Sequence, residues 1–403
     1  MISVEEATQR FLALIEPLAP EQISLEAALG RVLAEDVAAR RTQPPFAVSA
    51  MDGYAVRAAD VAQVPARLRV VGNIPAGSAY EGTVGPGEAV RIFTGAPVPS
   101  GADCIVIQED TERDGDVVIV RESAPLGRHV RPEGLDFRAG EIGLRAGRVL
   151  TARDVGLAAA MNRPWLLVRR RPRVAILPTG DEIVMPGDPV GPNQIVSSNA
   201  LALGALVAAS GGIPVQLGIA ADTHTSLQDL AAGAAGADLL VTTGGASVGE
   251  HDLVRDALGS HGLELDFWKI AMRPGKPLMV GRLRGTPMLG LPGNPVSTMV
   301  CGLLFLRPAL LKMQGVTAAS ETRAARLAVP LGANDRRQDY LRAECRPGAD
   351  GELEVEPFRR QDSSMMSLLS RANCLIMRPP LAPAAPLGER VPIIPFGGSL
   401  LGI

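Results

Sequence analysis

Apolar positions along the chain fall into three regimes, each with its own period. Near the start, Val4, Ala7, Phe11, Leu14 and Ile15 recur at helical spacing and Ser3 with Glu6 fits a capping box, so a helix is expected over residues 3–16. A second helix is expected over 25–33. After Pro44-Pro45 the period changes. Short apolar runs at 68–71, 89–93 and 104–107 stand between Gly and Pro residues, and Asp114-Gly115 ahead of 117–120 has the chemistry of a hairpin turn. Residues 45–125 therefore read as a small β-rich domain. A basic, Gly-rich piece over 126–150 then leads to a short helix at 152–160, and we group 1–44 with 126–170 as N-terminal helices and a linking domain.

From Arg173 onward strands and helices alternate. Strands are expected at 174–177, 215–219, 239–241 and 288–291. Between and after them, helices are expected at 198–209, at 225–235, from about 253, and at about 296–311. Ser198 or Asn199 can cap the first of these helices, and Thr225 with Gln228 can form a capping box on the second. Such alternation implies an α/β domain over 171–314 built on a doubly wound parallel sheet, whose ligand loops leave the C-terminal ends of the strands. Past Gln314 the β period returns at 325–329, 340–345, 353–355, 373–377 and 391–394, which fits a C-terminal β domain or barrel over 315–403.

Bulk properties narrow the partners. A chain of 403 residues is too long for one hydrophobic core, so several domains are the expectation. The formal net charge of -3 argues against broad nucleic-acid binding, which needs many phosphates neutralised, and 3% aromatic residues give little for bases to stack on. Any anion site must be local. Cys104, Cys301, Cys345 and Cys374 are too widely spaced for a CxxC pair, which implies a reducing compartment and no structural zinc. The N-terminus lacks a basic region followed by an apolar one, and the apolar run 200–213 is short and Gly-broken. A soluble, cytoplasmic protein without a membrane partner is expected.

The chemistry concentrates in loops that follow strands. The segment 238–252 carries an apolar strand into the small residues Thr242 to Gly249 and ends on Glu250 and Asp252. Small residues let backbone N–H groups approach a phosphate, and the acids then stand where a divalent cation is wanted, although a tight turn without ligand has the same composition. Leu177-Pro-Thr-Gly-Asp-Glu182 follows another strand; adjacent acids seldom face the same way, so one of Asp181 and Glu182 is expected to hold the turn while the other works. Asp222 follows a third strand and reads either as a helix N-cap or as a site acid. Convergence of Glu182, Asp222 and Asp252 would give an oxygen-rich site suited to Mg²⁺. Arg273-Pro-Gly-Lys276-Pro supplies two cations on a stiff backbone, and Pro292-Gly-Asn-Pro295 opens a helix whose free N–H groups favour an anion. In the β-rich part, Asp52 and Thr94 are polar turn residues, and Arg131 and Asp136 flank Gly134 as a possible pair. His129, His224, His251 and His261 have no ligand spacing and no nucleophile beside them.

Read in order, MDGYAV, FTGAPVPSGAD, PTGDE, TTGGASVGEHD, RPGKP and LPGNPVS span residues 50–297, and with them the whole chain resembles the molybdopterin molybdenumtransferase family, which includes bacterial MoeA and the gephyrin E domain. The resemblance implies an elongated homodimer of four-domain protomers with the cleft between the α/β domain of one subunit and the β-rich domain of the other. It implies adenylylated molybdopterin and molybdate as substrates, AMP as product and Mg²⁺ as cofactor. By motif, Glu182, Asp222 and Asp252 correspond to metal-binding acids of the cleft, with Asp52, Thr94 and Lys276 beside them as catalytic residues. Gly244, Gly245 and Ser247 correspond to the pterin-phosphate loop, Arg273 with Lys276 to its cationic clamp, and Pro292, Gly293 and Asn294 to a turn contact, while Arg131 and Asp136 complete the binding set. The chain departs from many members at Arg273, where Lys is frequent, and at Ala47-Val48, where a polar pair is frequent. A molybdopterin adenylyltransferase and molybdoenzymes are the implied protein partners. The alternatives are that the chain is itself an adenylyltransferase, whose fold is usually the α/β domain alone, or a non-catalytic dimeric scaffold.

Overall fold

The structure, a computed structural model, describes residues 1–75, 77–245, 253–316 and 322–396. Ser247, Glu250 and Asp252, expected in the anion loop, lie outside the described residues.

The first helix, Val4–Ala13, starts where Ser3 Oγ accepts the Glu6 N–H at 3.1 Å. Its buried face of Val4, Ala7 and Phe11 joins the core of the α/β unit and packs with Val174, Leu289 and Phe305. Arg10 donates to Asp266 and Lys312 Nζ donates to the Leu12 carbonyl at 2.7 Å, so the helix is tied to the edge strand Leu263–Lys269 and to the helical stretch that ends at Met313. The linking unit is built from two-stranded antiparallel pairs, Pro20–Ser24 with Trp165–Arg169 and Val37–Ala38 with Ile142–Leu144, beside the helix Ala152–Ala160. The helix expected over 25–33 is not formed. Only a 3-10 turn, Leu25–Ala27, appears, because Gly30 takes φ +73 and the following N–H groups of Leu33 and Ala34 bond to the carbonyls of Arg148 and Leu167. Distant backbone partners outcompete a helix with little to bury.

The β-rich unit is a six-stranded sheet in which Gly53–Val56 lies between Glu88–Ile92 and Cys104–Ile107. Its hairpin Thr111–Asp114 with Val117–Val120 turns on Gly115 at φ +59, as the Asp-Gly pair requires. Alternate residues of these strands pack into two small cores, one around Tyr54 and Val106 and one around Ile92 and Ile105.

At the centre stands a six-stranded sheet in the order Ile213–Gln216, Arg173–Pro178, Leu239–Thr243, Thr286–Leu291, Pro277–Leu283, Leu263–Lys269. The first four run parallel, as the alternating pattern predicts, and the last two add an antiparallel edge that the pattern missed. Leu239, Leu240 and Val241 are all fully buried, since helices cover both faces of the sheet. Helix His224–Ala232 is capped by Thr223, whose Oγ1 accepts the Ser226 N–H at 3.2 Å; neither Asp222 nor Thr225 is the cap. The helical stretch Pro295–Met313 has the length and apolarity of a membrane span, yet Val296, Val300, Phe305 and Leu310 sit fully buried in the central core. The C-terminal unit is a closed five-stranded barrel: Gln338–Pro347, Leu353–Pro357, Arg323–Leu327, Arg390–Pro395 and Cys374–Arg378, the last returning to pair with the first.

Candidate functional site

Loops leaving the C-terminal ends of the parallel strands surround a cavity of about 670 Å³. Thr179 and Glu182 come from the loop after Arg173–Pro178, Gly244 from the loop after Leu239–Thr243, and Pro292, Gly293 and Asn294 from the turn after Thr286–Leu291. Lys276 enters at the start of the antiparallel strand Pro277–Leu283, whose first residues lie at the same end of the sheet. Among the described residues that line the cavity, Lys276 is the one cation and Glu182 the one carboxylate. Lys276 is exposed and has no ion-pair partner among the described residues.

Backbone bonds sew the loops together. The Thr179 N–H donates to the Thr243 carbonyl at 2.9 Å, the Gly180 N–H to Ala220 at 3.1 Å, and the Asp222 N–H to Asp181 Oδ1 at 2.9 Å. Asp181 holds the turn, and Glu182 is among the residues lining the cavity. Asp222 is exposed beside the Asp181 turn. Partial desolvation raises its pKa and the Asp181 and Glu182 carboxylates push the same way, against a hydrogen bond from the Asp181 backbone. Gathered like charges and an all-oxygen donor set suit a hard cation such as Mg²⁺. Among the described residues no three potential ligands converge, so Glu182 and Asp222 offer a hard cation two carboxylates and not a complete site.

Gly244 and Gly245 bring the chain as close to Thr179 as a backbone can come. Gly244 has φ +91, and a Cβ there would stand 2.3 Å from the Thr179 carbonyl oxygen; Gly245 has φ +64, and its Cβ would meet Val254 at 2.4 Å. Beneath them the Thr179 hydroxyl is buried and has no hydrogen-bond partner among the described residues.

Several contributors escaped the sequence reading. Asn199, expected only as a helix cap, donates its amide to Thr243 Oγ1 at 3.0 Å and to the Gly293 carbonyl at 2.7 Å, clamping two loops. Asn294 donates to Ser363 Oγ at 3.0 Å and the Val296 N–H to the Ser363 carbonyl at 3.0 Å, so a loop of the C-terminal unit closes one wall and places Ser364 in the cavity. No local pattern marks this contact, because it joins residues far apart in the chain. Ile183, Ile195 and Val196 line the cavity from a two-stranded ribbon that was not expected at all.

Other expected residues lie elsewhere. Arg273 is drawn away from Lys276: its strand Met272–Arg273 pairs with Gln338–Pro347, and its guanidinium binds Asp335 at 3.2 Å and also Asp339. Asp339 and Asp335 raise its pKa further, and two carboxylates occupy the charge that a clamp would use. Asp52 and Thr94 do not line the cavity but are joined to each other, Asp52 Oδ1 accepting the Thr94 N–H at 2.8 Å and the Thr94 hydroxyl at 2.7 Å. These bonds, with a smaller effect from Arg91, hold the Asp52 carboxyl below its ordinary pKa. Arg131 pairs through its backbone with Val48, and the Asp136 N–H donates to the Gln43 carbonyl at 3.0 Å. Both side chains are exposed, and they form no ion pair with each other.

Comparison with known proteins is consistent along the chain. Residues 2–162 match the MoeA N-terminal region (domain I and II), residues 175–312 a probable molybdopterin binding domain, and residues 324–396 the MoeA C-terminal region (domain IV). The chain is 42% identical over 328 residues to molybdopterin molybdenumtransferase 2 of Mycobacterium tuberculosis, covering 78% of this chain and 80% of that protein. It is 32% identical over 407 residues to the molybdopterin molybdenumtransferase of Haemophilus influenzae, covering 100% of both. The crystal structure of the molybdopterin biosynthesis MoeA protein from Pyrococcus horikoshii superposes with a TM-score of 0.85 at 31% identity, covering 99% of this chain and 100% of that one.

Proposed function

Because the chain belongs to the molybdopterin molybdenumtransferase family, we propose that it acts in molybdenum cofactor biosynthesis, inserting molybdate into adenylylated molybdopterin and releasing AMP. The observation that carries this reading is the α/β cavity itself, in which Lys276, without an ion-pair partner among the described residues, a Gly-lined backbone wall at Gly244 and the carboxylate of Glu182 share one space of about 670 Å³.

The two substrates are anions, and bringing them together requires that their charge be offset. Lys276 offers a mobile ammonium for phosphate or oxoanion oxygens, unencumbered by the carboxylates that occupy Arg273. Gly244 lets backbone approach closely, and beside it the Thr179 hydroxyl is buried without a partner among the described residues. Asn199 keeps the Thr243 and Gly293 loops at fixed separation, which holds these donors in position for reaction. Bound at Glu182 and Asp222, with Asp252 as a third ligand, Mg²⁺ would supply positive charge to the phosphoanhydride. Asp52 and Thr94, hydrogen-bonded on their own sheet, act from the partner subunit of a homodimer on the cavity of the first. The reaction is assigned to the cytoplasm, with a molybdopterin adenylyltransferase upstream and molybdoenzymes downstream as partners.

The test is direct. Purified protein is incubated with adenylylated molybdopterin and Mg²⁺, with and without molybdate, and AMP is followed by chromatography. Molybdate-dependent AMP release is expected; release that ignores molybdate would remove the insertion step from the reading, and no release would remove the transferase.

A further inference from the structure

Between Glu182 and Asn199 the chain leaves the sheet and returns as a two-stranded parallel ribbon, Ile183–Val184 beside Ile195–Val196. The ribbon is held by the Ile195 N–H donating to the Glu182 carbonyl at 2.7 Å and the Ser197 N–H to Val184 at 2.8 Å. It is a poor candidate for burial by folding, since none of its apolar residues belongs to a core cluster. Ile195 is 59% exposed and Val196 45% exposed, and both line the cavity together with Ile183. The same cavity is lined by Lys276, Asn199 and Ser364. The site therefore combines a cation and hydrogen-bonding groups with exposed β-branched apolar residues. Solvated β-branched residues at the mouth of a polar cavity lose free energy that a ligand can recover only by covering them with an apolar surface.

We propose that Ile183 and Ile195, paired in register and so on one face of the ribbon, are the seat for a flat heteroaromatic ring of the substrate, so that the site reads an anion at Lys276 and a planar ring at the ribbon. The inference rests on the reading of the cavity as the substrate site. It assigns specificity to a segment with no charged or nucleophilic group of its own. A ring face laid on the ribbon covers apolar area without needing a hydrogen bond, and the ring edge remains free to bond elsewhere. Adenine and pterin are both such rings, and they are separated by the ligands used in the test.

The experiment compares wild type with the double variant I183S/I195S, and with Lys276→Gln as the reference for the cavity. Expected for the double variant is a roughly tenfold rise in KM for adenylylated molybdopterin, equal to about 1.4 kcal/mol, with kcat within about twofold and an unchanged dependence on molybdate. Equilibrium binding of AMP alone and of molybdopterin alone then identifies the ring: whichever weakens is the one seated on the ribbon. Unchanged KM and unchanged binding of both ligands overturns the proposal, as does dissociation of an oligomer with ligand binding intact, which would make the ribbon a subunit contact. If the double variant fails to fold, Ile195→Phe replaces it. A larger flat apolar surface is expected to keep or tighten binding, and a loss of binding would overturn the proposal. Should Lys276→Gln also turn over as wild type, the cavity is not the substrate site and the underlying reading falls; a crippled Lys276→Gln beside an unaffected ribbon variant sinks the ribbon alone.

Discussion

Gly244→Ala is the sharpest perturbation of the proposed site, because its effect follows from geometry alone. At φ +91 the backbone of residue 244 is in a region that an L side chain adopts only with strain, of about 1–2 kcal/mol. The added Cβ would also stand 2.3 Å from the Thr179 carbonyl oxygen and 3.1 Å from its hydroxyl. Thr179 cannot retreat. It is 2% exposed, and its N–H is committed to the Thr243 carbonyl at 2.9 Å while the next N–H, of Gly180, is committed to Ala220. Relief must come from displacing the glycine loop itself, and overpacking of this kind costs about 1–3 kcal/mol more. The sum is a loss of about 2–5 kcal/mol in the stability of the α/β unit, read by urea unfolding followed by circular dichroism. A displacement of about 1 Å in a positioning wall also predicts a fall in AMP release on the order of a hundredfold. Gly293→Ala is the control on the facing turn: its φ is ordinary and, among the described residues, its Cβ would touch only Gly244 Cα at 3.6 Å, so a change of less than about 1 kcal/mol is expected. A Gly244→Ala protein as stable and as active as wild type would refute the tight approach of this loop to Thr179.

Further expectations test the site piece by piece. Lys276→Gln should lower kcat/KM by about 10–100-fold, the worth of one hydrogen bond to a charged group, with the melting temperature unchanged because the side chain is exposed and makes no ion pair among the described residues. Asn199→Ala loses bonds of 3.0 and 2.7 Å to two different loops and should destabilise by about 1–3 kcal/mol in urea unfolding, with turnover falling in parallel. The pKa of Asp52 is depressed chiefly by the Thr94 N–H and hydroxyl, so this contact stabilises the fold above the ordinary carboxylate pKa, and its contribution disappears as pH falls through the depressed value. Thr94→Val removes the hydroxyl bond, and carbon-detected NMR titration of Asp52 should then show its pKa move upward; an unmoved titration would rule out the hydroxyl as a cause.

Local chemistry made much of this protein legible. The Ser3 cap, the Asp114-Gly115 hairpin and the strand-to-loop order around Thr179, Asp222 and Gly244 all follow from contacts between near neighbours in the chain. Where distant backbone offered better partners, the local reading failed. Residues 25–33 pair with the segments around Arg148 and Leu167 instead of coiling, and the strands Leu263–Lys269 and Pro277–Leu283 extend the sheet in a sense that no alternation of strand and helix announces.

The sequence by itself determined which loops carry acids, cations and bare backbone, because each loop's composition answers to the turn it makes and the strand it follows. The tertiary structure decided which of those groups share a space. Arg273 and Lys276 stand within one short motif, yet a strand pairing of two residues commits the first to Asp335 and Asp339 and leaves the second at the cavity. Ser364, from a separate barrel, reaches the cavity because Ser363 satisfies the backbone of a helix opened by Pro295. Side-chain chemistry is a property of the residue, whereas proximity is set by the packing and hydrogen bonding of units far apart in the chain, and the cavity depends on both.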